Sequence, residues 1–509
     1  MRRFAFLALF LAVGLGACTK SKSERNKSSG ALTEKQRQAK ASKKSKADRK
    51  KKAEARAREL KREKESFLRL DAAWADKPPP LPPEDQATRV TNDGLKAYVF
   101  SIGQADSLLV VGPPPQHKSL LVDLGSALKQ PKNLGANFSS YAHVATRIRE
   151  ITGRSGVDYL VLTHYEKHRT GDWDGKENRG NGMVGLLTDA SVPFTVGTFL
   201  DVGRENGKLT EEAQAPQRQF SALLPLLKKH KRLQERKELE LGSQQIDLGA
   251  NVTVEVVATG GKLGPGTNAF EIAAKHKADF AKAPADDSAL SAALEISLGD
   301  FELFLAGDLP GSDKKNRRYF HVRRGKTVVN AEGMLVDAWR EGQRESDVEV
   351  FFASAHGSSY SNSQKLLDAL DPEVILYSAG DGRHPIHTVV RRGGKTARQL
   401  ATTRVGDDKL FEKSNGKVAG EIEILVSADG KSYRVNGEAY DALSDARESA
   451  AKGAAGTGEG AGRPDGAKVA PEIAPPAAPR PAAPRNAAPG ATVAKPAPPA
   501  PKAAAPNSE

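Results

Sequence analysis

Three side chains that can hold a metal ion, His164, Glu166 and His168, stand at i, i+2 and i+4 directly behind the apolar run 158–163. Imidazole nitrogen and carboxylate oxygen are ligands that zinc and neighbouring divalent ions accept. At that spacing a loop leaving a strand can turn several side chains toward one point. His-x-Glu-x-His alone also describes a solvated polar loop. What adds weight is that polar, metal-capable residues recur at one place in the local pattern, just after an apolar strand: Asp123, His164, Asp308 and His356. Four loops converging on one rim would let distant acids and imidazoles clasp a single ion and leave a position open for water. Such an ion lowers the pKa of water and makes hydroxide available for attack at a phosphoryl or carbonyl centre.

The elements that must position these groups read as short strands alternating with helices. The run 158–163 is continuously apolar, β-branched or aromatic from Tyr159 to Leu162 and too short for a helix, which predicts a buried strand. Strands are expected at 96–102, 108–111 and 119–122, the first two joined by a turn through Gly103 and Asp106. Phe138, Tyr141, Val144, Ile148 and Ile151 recur at helical spacing and predict a helix over 137–151. An exposed Gly-, Asp- and Asn-rich loop (172–182), a strand (194–202) and a helical region (210–235) follow, with His230 as a surface residue. A strand over 246–258 precedes a loop-rich insertion (260–287), a hairpin (292–297 and 301–305), a buried strand (348–353), a helix (363–370) and a strand (374–378). A loop with His384 and a hairpin (421–426 and 432–435) close the pattern, an α/β layered build.

Seven pieces, in this order, carry a resemblance. They are Ile102-Gly-Gln-Ala-Asp-Ser107, Leu121-Val-Asp-Leu-Gly125, Leu162-Thr-His164, Asp287-Ser288, Phe304-Leu-Ala-Gly-Asp-Leu309, Ala355-His-Gly-Ser358 and His384-Pro385. Together they resemble the metallo-β-lactamase fold, and within it the extracytoplasmic hydrolase-like domain of the ComEC competence proteins. The resemblance spans residues 96 to about 390 and implies an αββα sandwich. The family pattern His-x-His-x-Asp-His is here His164-Tyr-Glu166-Lys-His168-Arg169. By resemblance, its first two positions serve one metal, its last two serve another, and Asp308 bridges them. Arg169 stands where the last His is expected, and a guanidinium has no lone pair to offer and stays charged. A two-metal centre is therefore not expected. One divalent metal is, zinc first with manganese or iron as alternatives, held by His164 and Glu166 with Asp308 or His356. His168 would then be general base, Asp123 would support the site from behind the ligands, and His384 would contact a substrate oxygen. The reading that competes takes Asp308 and His356 as remnants of a lost site.

Composition sets the address. Arg2 and Arg3, the apolar stretch from Phe4 to Leu15 and Leu15-Gly-Ala-Cys18 predict a signal peptide over 1–17, too short to cross a membrane. Its end resembles a bacterial lipoprotein signal, which implies acylation of Cys18, a palmitate-type anchor and an extracytoplasmic place in the bacterial cell envelope. Cys18 is the only cysteine of the chain, so it excludes an intramolecular disulfide. The formal net charge is +14, but residues 20–66 alone hold 19 Lys/Arg against 7 Asp/Glu, and the folded part sums to about zero. The basic balance is thus no footprint of a polyanion-binding active site. Residues 18–84 predict a basic tether, a solvated helix or a disordered spacer ending in the proline run 77–83, with anionic lipid or envelope polymer as its partner where it does more than space. The hydrolase-like domain is expected over 85–445 and an Ala/Pro-rich disordered tail over 446–509. Two functions fit: a metal-dependent hydrolase with a phosphodiester or nucleic-acid substrate, and a non-catalytic envelope binding or scaffold lipoprotein on a decayed hydrolase fold. No obligate protein partner is evident.

Overall fold

Apolar side chains alternate along the strands without leaving either face polar, and this decides the architecture. In β1 (Lys96–Val99), Ala97 and Val99 enter one core while Tyr98 enters another. A strand buried on both faces must be covered twice, by a second sheet and by helices. The computed structural model describes residues 34–75, 93–126, 138–171, 173–174, 179–203, 211–276, 287–323, 326–344, 346–379, 384–394, 396–403 and 405–442. The signal peptide, Cys18, the proline run and the 446–509 tail lie outside them.

In chain order the remaining strands of the two large sheets are β2 (Leu108–Val111), β3 (Ser119–Val122), β4 (Gly156–Leu162), β5 (Thr195–Asp201), β6 (Leu233–Glu238), β7 (Val252–Ala258), β8 (Ala293–Leu298) and β9 (Phe301–Leu305). They continue with β10 (Val350–Phe352), β11 (Val374–Tyr377), β12 (Arg398–Ala401), β13 (Gly416–Val418), β14 (Ile422–Val426), β15 (Ser432–Val435) and β16 (Glu438–Asp441). One sheet has nine strands in the order β16-β15-β14-β1-β2-β3-β4-β5-β6, the other seven in the order β13-β12-β11-β10-β9-β8-β7. The helices are α1 (Glu34–Ala75), α2 (Ser140–Thr152), the short α3 (Lys167–Thr170), α4 (Gly182–Thr188), α5 (Glu211–Lys229), α6 (Ala269–His276), α7 (Ala331–Glu341), α8 (Gln364–Leu370), α9 (His387–Arg392) and α10 (Asp408–Lys413).

Three apolar cores separate four layers. Residues of both sheets share the central one. The outer face of the nine-stranded sheet packs on α2, α4 and α5, and that of the seven-stranded sheet on α6 to α10. The chain is therefore the αββα sandwich of metallo-β-lactamase type that the sequence resemblance implies. Strands β3 to β6 run parallel, as do β9 to β13, so the carboxyl ends of β3, β4, β9, β10 and β11 are free to carry loops. Open α/β sheets place their sites at such ends.

Several elements differ from the sequence reading. The region 210–235 is not one helix: α5 ends at Lys229, and Leu233 opens β6, which pairs parallel with β5. The insertion 260–287 contains α6. Helix α7 was not foreseen; Met334, Leu335, Val336 and Trp339 bury one of its faces, and the Asn330 side chain caps it by accepting from Gly333 N. Among the described residues no helix is long and apolar enough to cross a membrane.

The basic segment is a helix of 42 residues, as its Ala, Lys, Arg and Glu content favours, and its end is not a free tether. Leu70 and Trp74 are buried in the outer core of the nine-stranded sheet. Asp71 accepts from Lys229 Nζ at 2.6 Å and pairs with His230 Nε2 at 2.8 Å, and Arg232 lies over the Trp74 ring at 4.8 Å. His230 is thus covered by α1 instead of facing solvent. Truncating a buried Trp to Ala typically costs about 3–5 kcal/mol. Trp74→Ala is expected to lower unfolding stability by that amount in denaturant titration, and a loss below about 1 kcal/mol would show that the helix end does not dock.

Candidate metal centre

Backbone hydrogen bonds between the loops bring the strand ends to one place. Asp123 N donates to Val161 O at 2.9 Å, tying the end of β3 to β4. Ala292 N donates to Thr163 O at 2.8 Å and Ala355 N to Gly307 O at 3.0 Å, which joins the two sheets and then the loops after β9 and β10. The turn after β9 needs glycine: Gly307 has φ +49°, and a Cβ there would stand 2.8 Å from Thr163 Oγ1. Asp123, Ala355 and His356 also take positive φ, at 55°, 48° and 57°. Non-glycine residues rarely adopt it, and each such residue costs about 1–3 kcal/mol unless its surroundings hold it.

One ligand atom from each of His164, Glu166, His168 and Asp308 lies within 4.8 Å of the other three. His168 Nδ1 is 3.0 Å from Glu166 Oε2 and its Nε2 is 2.7 Å from Asp308 Oδ2. His164 Nε2 is 3.3 Å from the same Asp308 oxygen but not aligned for a hydrogen bond, and it stays buried without one. His164 and Asp308 are almost fully enclosed, whereas the side chains of His168 and Glu166 are 13% and 33% exposed and form the open edge. The structure thus joins His168, expected as general base, to the ligand cluster. His356, expected as a ligand, stands beside it with ring centroids of His168 and His356 5.3 Å apart.

Behind the cluster sits Arg169, buried at 1% exposure. Its Nη1 donates to Asp123 Oδ2 at 2.9 Å and also pairs with Asp106, while Nη2 pairs with Asp308 Oδ1. Asp123 in turn accepts from Thr163 N at 2.8 Å and Thr163 Oγ1 at 2.6 Å. Asp106 and Ser378 are the functional residues that sequence reasoning did not assign. His356 Nδ1 lies 2.9 Å from Ser378 Oγ and 3.1 Å from Asp106 Oδ1, and Ser378 donates to Asp106. These partners place the His356 proton on Nδ1 and leave Nε2, buried and unpartnered, with a free lone pair. Asp106 lies in the Gly-Gln-Ala-Asp turn and Ser378 follows β11, the same strand-end position that singled out the other residues. His384 pairs with Gln104 through its Nδ1 at 3.2 Å and is not among the four converging donors.

Electrostatics follow from this arrangement. Burial would lower His164, but the adjacent Asp308 carboxylate outweighs it and pushes the imidazole up to about 9. Against the same burial, Asp308 and Glu166 hold His168 well above the usual histidine range. Burial would raise Glu166, yet the hydrogen bond and charge of His168 bring it down to about 2. Asp308 is held well below the carboxylate range by Arg169, His168 and His164 despite its burial. His356, desolvated and facing Arg169 and His168, is pushed well below and is neutral. Without an ion, two imidazolium groups thus supply positive charge to the cluster.

The donor set fits one divalent ion: two imidazoles and two carboxylates whose ligand atoms lie within 4.8 Å of one another. Arg169 already supplies the cation behind Asp308.

No family model matches the chain, and neither does any curated protein. Among solved structures it is similar to the metallo-β-lactamase fold protein YhfI from Bacillus subtilis, at 12% identity over 61% of this chain and 97% of that one, TM-score 0.31. It is also similar to unliganded yeast PDE1, at 9% identity over 65% and 99% of the two chains, TM-score 0.33. A third likeness is isothiocyanate hydrolase from Delia radicum gut bacteria, at 10% identity over 65% and 99%, TM-score 0.28.

Two outcomes are expected. Arg169→Met leaves Asp106, Asp123 and Asp308 buried without their shared cation, and breaking a buried pair in this way costs about 3–5 kcal/mol; equilibrium unfolding measures it, with Arg169→Lys recovering only part. Metal binding must also displace the protons on His164 and His168. Against their burial, Asp308 raises both imidazoles, His164 to about 9, so each favours its proton near neutrality and gives it up as pH rises. Affinity measured by competition with a chelator should therefore rise with pH from 6 to 8, by roughly tenfold per unit for each proton released. A flat profile would contradict the protonated cluster.

Proposed function

We propose that the chain is a metal-dependent hydrolase working with one divalent ion, zinc before manganese or iron, on a phosphodiester substrate, as the ComEC-like sequence pieces suggest. The observation that carries this reading is the convergence of His164, Glu166, His168 and Asp308, whose ligand atoms lie within 4.8 Å of one another. Bound there, a divalent ion supplies Lewis acidity and hydroxide near neutral pH. Substrate enters from the Glu166 edge. Asp308 orients the cluster, with Arg169 fixing its second oxygen. His356, neutral and held by Ser378 and Asp106 on its Nδ1 side, takes up or returns a proton at Nε2. His168, engaged by two carboxylates, does not take that role.

We place the protein on the outer face of a bacterial membrane, acylated at Cys18, with anionic envelope polymers or nucleic acid within its reach. A helix of 42 residues is about 63 Å long and suits a stalk. Labelling with a radioactive fatty acid that is lost in Cys18→Ser tests the anchor.

A second reading has its own support. Arg169 and His168 satisfy the carboxylates without any ion, which favours a non-catalytic envelope binding or scaffold lipoprotein. Elemental analysis decides between the two. The chain purified with α1 intact should carry close to one equivalent of metal, lost in His164→Ala and in Asp308→Asn, and should cleave bis(p-nitrophenyl) phosphate with a rate that falls at least a hundredfold in both. A metal-free wild type after growth in supplemented medium gives the scaffold reading the case.

A further inference from the structure

The chain leaving Asp308 runs through Pro310 and Gly311 to a loop that, with α7 and α8, encloses a groove of about 630 Å³. The loop is held in shape from below. The buried Asn330 side chain accepts from Ser312 N at 2.9 Å and donates to Arg318 O at 2.8 Å, pinning both ends. The charges in the groove do not cancel. Its three acids are engaged: Asp313 pairs with Arg392 at 2.5 Å, Asp337 with Lys365, and Asp368 accepts from Gln364 Nε2 at 2.8 Å. Lys314, Lys315, Arg318 and Arg340 line the same walls, are exposed, and have no ion-pair partner among the described residues. Arg318 lies over the Tyr319 ring at 5.3 Å, which orders its guanidinium.

Four unpartnered cations on a pinned loop and a helix favour an anion with several charged oxygens, and a phosphate group is the one that guanidinium and ammonium donors recognise best. One end of the groove, at Ser312, is near the metal centre. Ser312 is four residues from Asp308, so the two are at most about 14 Å apart, and Gly311 N donates to Tyr360 O at 2.7 Å. We infer that this groove binds a phosphate group of the substrate remote from the bond that is cut, which makes the preferred substrate a polymer with repeated phosphodiesters. That the bound phosphate belongs to a substrate rests on the hydrolase reading above; that phosphate binds there does not.

The test uses the metal-free full chain and a short fluorescein-labelled oligothymidylate, followed by anisotropy over a range of salt. The variant Lys314→Ala, Lys315→Ala, Arg318→Ala keeps every charge of α1, so binding by the basic helix is common to both proteins and the difference reports the groove. The variant is expected to bind about tenfold or more weakly, with a salt slope shallower by about 2 to 3, and inorganic triphosphate should displace the groove-dependent part. Arg340→Gln, on a helix instead of the loop, should show a smaller loss in the same direction and guards against a loop that misfolds. Equal affinity and salt slope in wild type and both variants overturn the groove. With metal restored, the triple variant should keep its kcat/KM on bis(p-nitrophenyl) phosphate, which has no remote phosphate, while its KM for the oligomer rises about tenfold. If neither compound is cleaved by wild type yet the binding difference stands, the hydrolase reading fails and the phosphate site survives it.

Discussion

Carboxylates from three separate loops meet at one guanidinium, and the geometry of the site depends on that meeting. Asp106, Asp123 and Asp308 leave different strands, yet all three pair with Arg169. Two like charges roughly 5–6 Å apart repel by about 3 kcal/mol even at an effective dielectric of 20. Three buried acids without a cation would therefore push the loops apart or take up protons. Arg169 is part of the chain and cannot leave, so it fixes the positions of the acids permanently. An ion that comes and goes would fix them only while bound.

That permanence separates two tasks a dinuclear centre would combine. One oxygen of Asp308 is committed to Arg169 and the other faces His164 and His168. The carboxylate is thus oriented before any ion arrives, and only the front half of the cluster exchanges. There, His168 bridges Glu166 and Asp308 as an imidazolium. Exchange of two imidazolium protons for one dication leaves the local charge unchanged, so the cavity need not rearrange electrostatically on binding.

How much of this could be read from residues alone divides along physical lines. Buried strands announce themselves by continuous apolar runs, so β2, β3, β4 and β9 and the polar groups behind them were legible. The displaced motif His164-Tyr-Glu-Lys-His-Arg169 was equally plain, including the charge that Arg169 brings. β6 was not, because its side chains are mostly exposed and polar; backbone pairing with β5, which no side-chain pattern records, makes it a strand. The docking of α1 was hidden for a related reason. A helix so rich in Lys and Arg has almost no apolar signal, and the two residues that anchor it, Leu70 and Trp74, lie beyond the charged run. Asp106 escaped assignment because Ser378, 272 positions on, and His356 lie on the far sheet and only the closed sandwich brings them to it; Ser378 meets His356, 22 positions back, across neighbouring strands of one sheet.

The backbone itself speaks to whether the site is a relic. Asp123 and His356 both sit in the left-handed region without being glycine, and Ala355 joins His356 there. Each such residue carries a standing cost of about 1–3 kcal/mol unless its surroundings hold it. Two of these three residues present a polar side chain to the same small volume: Asp123 to Arg169 and Thr163, His356 to Ser378 and Asp106. The hydrogen bonds that over-determine these conformations are those that fix the tautomer of His356 and leave its Nε2 bare. Three of the eleven described non-glycine residues with positive φ thus meet at this site, where one of them leaves a buried nitrogen bare.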